Sequence, residues 1–336
     1  MADIAVNRDA LAKGAAATTA DAGARAARTA STSRRDRRDG WFFLVPYLLL
    51  FTVFVIAPAG FGLWISLHDY DYTLPEKPFV GLENYSGLIS GDSPFAAPFW
   101  QAMQGTAIFT IASVPLLLVL PLGVALIMNA KFRGRNFFRA LFFAPYVLGV
   151  AVVAVLWRYL LDTNIGLINH YLGDAIPWLT QENTAWASLV GVTVWWTLGF
   201  NAVIYLAALQ DISPELYEAA RMDGANRWQQ FVNVTLPGLR PVLLFVTSVT
   251  IIASVNMFGQ SYLMTQGGPG TETRTAIYQI AETGLTSFNS GLASAMSLIF
   301  SVFLALVSIA VFFAFRERDD GSRRRRRPTS GEARGR

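Results

Sequence analysis

The chain contains no cysteine. That absence excludes disulfides, thiolate nucleophiles and cysteine-ligated metal sites. Charge is scarce too. Only 15% of the 336 residues are Asp, Glu, Lys or Arg, against about 25% in an ordinary soluble domain. Histidine occurs twice, at His68 and His170. Both are expected in loops, and two isolated imidazoles form no metal cluster. No Gly-x-x-x-x-Gly-Lys-Ser/Thr phosphate loop occurs, so a nucleotide finds no cradle of that kind. What is plentiful is apolar: 53% of residues are hydrophobic and the mean hydropathy is +0.38. This composition belongs to a polytopic membrane protein. The formal charge of +4 gathers at the two ends and in a few loops. It therefore speaks of topology, and no nucleic-acid partner is expected.

Crossing a bilayer takes about 20 apolar residues in a helix. Six runs are long enough, near 41–67, 102–130, 136–160, 185–209, 240–264 and 289–315. The expected fold is all-α, with six transmembrane helices. Residues 1–39 are rich in Ala, Thr and Arg and poor in large apolar residues, which reads as a disordered basic cytoplasmic tail. Residues 319–336 carry Arg323 to Arg327 and read the same way. The membrane domain is expected over 40–318. The first run is too long for a secretory h-region, so it is taken as a retained helix.

Basic residues mark the inner side of a membrane protein. Lys131, Arg133 and Arg135 lie between runs two and three. Arg221, Arg227 and Arg240 lie between runs four and five, and Arg316, Arg318 and Arg323–Arg327 follow run six. The remaining loops hold only Lys77 and Arg274. Both termini and the loop after run four are therefore expected in the cytoplasm.

That loop, Glu218 to Pro237, is a polar island between two apolar runs. Ser213 suits a helix N-cap, Pro214 the first turn, and Glu215 the positive end of the dipole. Leu216, Tyr217 and Ala220 are expected on one side of this helix, and Gly224 is expected to stop it through a left-handed turn. A second short helix with Trp228, Phe231 and Val232 at helical spacing is expected to end at Leu236-Pro237. Such a hairpin between two spans is suited to docking in the aqueous phase.

The stretch Glu218-Ala219-Ala220, three residues, Gly224, then a spacer to Leu236-Pro237, with Asp223 before the glycine, resembles the EAA loop of the membrane subunits of binding-protein-dependent ABC importers. Phe79-Val80-Gly81-Leu82-Glu83-Asn84-Tyr85 and Thr265-Gln266-Gly267-Gly268-Pro269 resemble segments of the carbohydrate-uptake type, which includes maltose, oligosaccharide and glycerol-phosphate permeases. Gly134-Arg135 to Trp157-Arg158, with Arg139 and Pro145-Tyr146 inside it, and the small residues Gly291 to Ser297 extend the likeness to about residues 41–318. The resemblance implies that the Glu218 loop is a coupling helix seated on an ATPase. It also implies a second, homologous permease, two ATPase subunits holding ATP and Mg, and an extracytoplasmic solute-binding protein, all at a bacterial plasma membrane. The chain itself would be a transport subunit, with no cofactor and no catalysis of its own.

Four polar or aromatic side chains at membrane depth are candidates for the sugar path. Asn256 and Gln260 stand one helical turn apart, sharing a face with Ile252. Trp196 and Asn201 lie on the preceding run. Polar groups at that depth face a cavity or a neighbouring helix, and interhelical hydrogen bonding stands as the rival reading for each. Pro115, Pro121 and Pro145 are compatible with helices kinked around a path. A self-contained secondary carrier would require ionisable residues within the spans or inverted repeats. The spans hold no Asp, Glu or Lys, and no repeat is evident.

Overall fold

The computed structural model describes residues 44–130 and 133–324, with side chains described to Phe313. Both terminal tails expected from the sequence lie outside these residues or at their edge. Among the described residues there is no strand, only an isolated bridge between His68 and Phe79.

Residues up to Trp64 form one compact unit and the rest another. The first unit is most of helix α1, Leu44–Ser66. Its apolar residues from Leu44 to Ile56 are exposed on every side, as suits a helix whose solvent is lipid.

The second unit holds the remaining elements. These are α2 (Glu83–Ser90), α3 (Ala96–Asn129), α4 (Arg135–Val147), α5 (Val150–Leu160), α6 (Leu167–Leu172), α7 (Glu182–Asp211), α8 (Pro214–Met222), α9 (Arg227–Val255), α10 (Ser261–Thr265), α11 (Ala276–Ala281) and α12 (Ser290–Arg324). α10 is a π-helical turn. Among the described residues five helices are long and apolar enough to span a membrane, and α4 with α5 make a sixth span if the bent pair counts as one.

That third span is not the straight helix expected from 136–160. It breaks at Leu148–Gly149 and turns through 97°. Pro145 lies three residues before the break and Gly149 stands at it. By contrast, Pro115 and Pro121 stay inside one unbroken 34-residue helix. Proline removes the amide that would bond the carbonyl four residues back. For Pro121 that carbonyl is Leu117 O, and Asn201 Nδ2 of α7 donates to it at 3.1 Å. A neighbouring helix thus supplies what proline withdrew.

The fifth span also departs from expectation. α9 already begins at Arg227 and runs through Leu236-Pro237 without stopping. Phe231–Thr235 widens into a π turn in which Leu236 N–H donates to Phe231 O. The bulge lets the helix continue through Pro237, which has no amide to donate. At the other end α9 stops at Val255, short of the expected 264, and helix resumes only at Gly259.

Close packing is bought with glycine at two crossings. A Cβ on Gly199 of α7 would stand 2.0 Å from Phe142 O on α4. One on Gly291, at the start of α12, would stand 2.1 Å from His68 O. The second crossing explains the small residues noted in the last span. The Gly81–Tyr85 segment is structural as well. Asn84 Nδ2 donates to Ser66 O and His68 O at 2.9 and 3.1 Å, and the Tyr85 hydroxyl meets Ser66 Oγ at 2.6 Å. His170 lies in α6 rather than in a loop.

Candidate functional site: a coupling hairpin and a membrane cavity

The hairpin after the fourth span follows its sequence signals. Ser213 Oγ accepts the Glu215 amide at 3.3 Å and Pro214 occupies the first turn. Asp223 is the C-terminal cap and Gly224 takes φ +76°, the left-handed turn that only glycine adopts without strain. Asn226 and Gln229 then form a reciprocal capping box that starts α9. Such a box stabilises a helix start by satisfying two orphan amides. One side faces the protein. Tyr217 and Ala220 are half-buried, and the Tyr217 hydroxyl meets Thr235 Oγ1 at 3.0 Å. The other side is bare. Leu216, expected with Tyr217, is instead 55% exposed, Trp228 is 70% and Met222 89% exposed. Glu218, Ala219 and Asp223 are exposed beside them. Leu216, Met222 and Trp228 thus form an exposed apolar patch with the Glu218 and Asp223 carboxylates beside it, the kind of surface that marks a candidate protein-interaction site. Of the remaining motif residues, Leu236 is half-buried and Pro237 exposed, both within α9.

The second site lies within the membrane spans. A cavity of about 350 Å³ is walled by α3, α4, α5, α7 and the two halves of the fifth span. Phe109, Tyr146, Trp196, Phe200 and Phe258 give it aromatic faces. Thr193, Thr197, Asn201, Thr250, Ser254, Asn256 and Gln260 give it hydroxyls and amides. No lining residue is charged. Its volume falls in the range of about 300–1,000 Å³ typical of small-molecule sites.

All four sequence candidates line this cavity, but each is partly committed elsewhere. Asn256 and Gln260 do not share one continuous helix. Asn256 is the C-cap of α9, and its Nδ2 folds back on Ile252 O at 2.7 Å. Gln260 begins the resumed helix, 7% exposed, with Nε2 3.4 Å from Thr193 Oγ1. Between them Asn256–Phe258 is irregular backbone. Inside a membrane such backbone is tolerated only where protein or a cavity surrounds it. Thr275 Oγ1 donates to one of its carbonyls, Met257 O, at 2.7 Å. Trp196 Nε1 donates to Leu148 O at 3.0 Å, and Asn201 is the donor to Leu117 O.

The sequence reading missed Tyr146, Phe200 and Thr193. Tyr146 stacks on Phe200 at 4.5 Å between ring centres. The Pro145–Gly149 spacing was the one local signal that the chain turns here. Beyond the cavity, the Thr265–Gly270 segment closes a tight outer turn. Gln266, Gly267 and Gly270 all take positive φ, and the Gly268–Pro269 bond is cis. Arg274 lies across Gly267, where a Cβ would stand 2.6 Å from its Cγ, and over the Tyr278 ring at 5.2 Å.

A helical membrane protein with an uncharged cavity among its spans and an exposed polar hairpin between two of them suits a transport component. Residues 106–317 match the family described as the binding-protein-dependent transport system inner membrane component. The chain belongs to that family, whose transport depends on a binding protein, as a membrane-integral transport subunit rather than an enzyme. It is 34% identical to the trehalose/maltose transport system permease protein MalF of Thermococcus litoralis, over 85% of this chain and 95% of that one. It is 33% identical to the sn-glycerol-3-phosphate permease UgpA of Salmonella typhimurium, over 85% and 98%. A solved bacterial alginate ABC transporter, in complex with its alginate pentasaccharide-bound periplasmic protein, has the same fold. Its TM-score is 0.70 at 24% identity, covering 82% of this chain and 94% of that one.

Proposed function

We propose that this chain is one of two homologous permeases in a bacterial plasma-membrane ABC importer, and that its cavity passes a neutral di- or oligosaccharide. A solute-binding protein delivers the sugar on the outer side. Two ATPase subunits carry ATP and Mg on the inner side, and one of them receives the Glu218–Gly224 hairpin in a cleft. Glu218 meets a basic group there, and the bare Leu216, Met222 and Trp228 fill an apolar cleft.

The observation that carries the substrate reading is the lining of the cavity. Aromatic faces pack against the apolar faces of sugar rings, while amides and hydroxyls exchange hydrogen bonds with sugar hydroxyls. The likeness to a glycerol-phosphate permease raises a second reading. A dianionic substrate at membrane depth is best held by a fixed cation, and the lining has no basic residue. The cavity therefore favours the neutral sugar.

Two measurements test this. The complex is purified from native membranes with its binding protein, and that protein is titrated calorimetrically with a panel of sugars and glycerol phosphates. A neutral oligosaccharide is the expected ligand, and a phosphate ester as the tightest binder overturns the reading. Uptake is then measured for Asn256→Ala and Gln260→Ala. A hydroxyl stripped of its partner in a closed site costs about 1–3 kcal/mol, which is roughly five- to 150-fold in rate. Uptake should fall by such a factor at unchanged complex yield. A loss fully explained by yield removes both residues from the path.

A further inference from the structure

Two membrane spans are broken at the cavity, and the two breaks touch. α4 passes to α5 through Leu148–Gly149 at 97°. α9 ends at Val255 and helix resumes at Gly259. Val150, the first residue of α5, sits on Gly259, where a Cβ would stand 2.7 Å from Val150 Cγ2. The elbow is also held from α7, by Tyr146 stacked on Phe200 and by the Trp196 indole donating to Leu148 O.

We infer that Trp196 is a positioning residue for translocation, a pin that holds the broken third span to α7 and, through Val150 on Gly259, sets the break in the fifth. This rests on reading the cavity as the translocation path. Leu148 O lies past the last turn of α4, at membrane depth, where an unmet carbonyl is costly. The indole N–H meets it, so the pinned arrangement is the favoured one. Any movement of the elbow must give up that bond. Val150 and Gly259 fit without a gap, so the two breaks shift together or not at all. A wall with two discrete positions closes the cavity to one side at a time. The indole N–H is thereby committed to backbone, and its contribution to sugar binding is confined to its ring.

The absence of native cysteine makes the test direct. Ala253 lines the cavity, and Ala253→Cys reports access to it. The full complex is placed in right-side-out and inside-out vesicles without sugar, and labelling by a membrane-impermeant maleimide is timed in each. With Trp196 intact, one orientation should label much faster than the other. Trp196→Phe keeps an aromatic ring and deletes the N–H. It should speed labelling from the slow side about two- to tenfold, the equilibrium shift expected for one neutral hydrogen bond. Gly259→Ala, which wedges the two breaks apart, should do the same. Rates are read only on assembled complex, so a fall in yield does not imitate the effect. Unchanged side-selectivity in both variants overturns the proposal, including the case in which uptake falls while selectivity stays. Because no sugar is present, this outcome is separable from any error about the substrate.

Discussion

At the scale of single residues, Asn201 shows how a polar side chain deep in a membrane can be occupied by structure. Its Nδ2 meets the carbonyl that Pro121 leaves free. Interhelical hydrogen bonds in membranes average about 0.6 kcal/mol, while a buried acceptor left unmet costs about 1–3 kcal/mol. Asn201→Leu should therefore lower complex stability by about 1 kcal/mol. Pro121→Ala restores an amide to Leu117 O. In that background Asn201→Leu should cost far less, and a thermal-shift double-mutant cycle measures the difference. Equal costs in both backgrounds would show that the Leu117 carbonyl is not what Asn201 serves. A second residue-scale case lies in an outer loop. Asp162 accepts the Ile165 and Asn164 amides, and these bonds, with the Arg158 charge, hold its carboxyl below the usual range although desolvation opposes them. Because the folded value is depressed, the loop's stabilisation is complete above the unfolded value of about 3.9 and is lost as pH falls through the lower folded one. Hydrogen exchange at Asn164 and Ile165, corrected for intrinsic rates, should rise over that acid window in the wild type. Asp162→Asn should abolish the pH dependence.

At the scale of elements, the sequence was legible where a local signal dictates local structure. The Ser213-Pro214 start, the Gly224 stop and the Glu218 motif all fell into a hairpin at the expected places. The two broken spans were not legible. The sequence on either side of Leu148–Gly149 and of Asn256–Phe258 stays mostly apolar, because a membrane asks for apolar side chains whether or not the backbone is helical. Hydropathy and period therefore read straight through. The opposite error occurred at Leu236-Pro237. Proline suggested an end, and the π turn at Phe231–Thr235 carried the helix past it. Of the site, the four polar candidates were found because polarity at membrane depth is conspicuous, whereas Tyr146 and Phe200 were hidden among many aromatics. The hairpin carries its own prediction. A Cβ at Gly224 meets nothing within 4 Å, so Gly224→Val acts through backbone strain alone, about 1–2 kcal/mol for a residue forced left-handed. Glu218→Lys reverses an exposed charge. Each should abolish substrate-stimulated ATP hydrolysis in the purified complex while the chain remains in the membrane. Wild-type rates in both variants would remove this hairpin from coupling.

At the scale of the whole molecule, the distribution of charge predicts which way the chain threads the bilayer. Arg133, Arg135 and Arg139 stand at one end of the third span, and Arg221, Arg227 and Arg240 flank the hairpin. On the opposite side Asp69, Asp71, Glu76, Glu83, Asp92, Asp162, Asp174, Glu182, Glu272 and Glu282 outnumber Lys77, Arg158 and Arg274. Basic residues in short loops are retained in the cytoplasm, so this distribution predicts the hairpin on the inner side and the acidic loops on the outer side. The bent third span is what makes this count consistent. If α4 and α5 together crossed no membrane, the hairpin and the loop after α3 would fall on opposite sides. Insertion of a reporter active only in the cytoplasm decides between the two. Gly91, Gly134, Gly224 and Gly270 are turn glycines at positive φ with open space around them, which makes them tolerant of insertion. Gly270 serves better than the tighter Gly268. The reporter should be active at Gly134, Gly224 and Gly321 and silent at Gly91 and Gly270. Activity at Gly270, or silence at Gly224 with activity at Gly134, would show that the elbow is re-entrant and that the chain crosses the membrane five times.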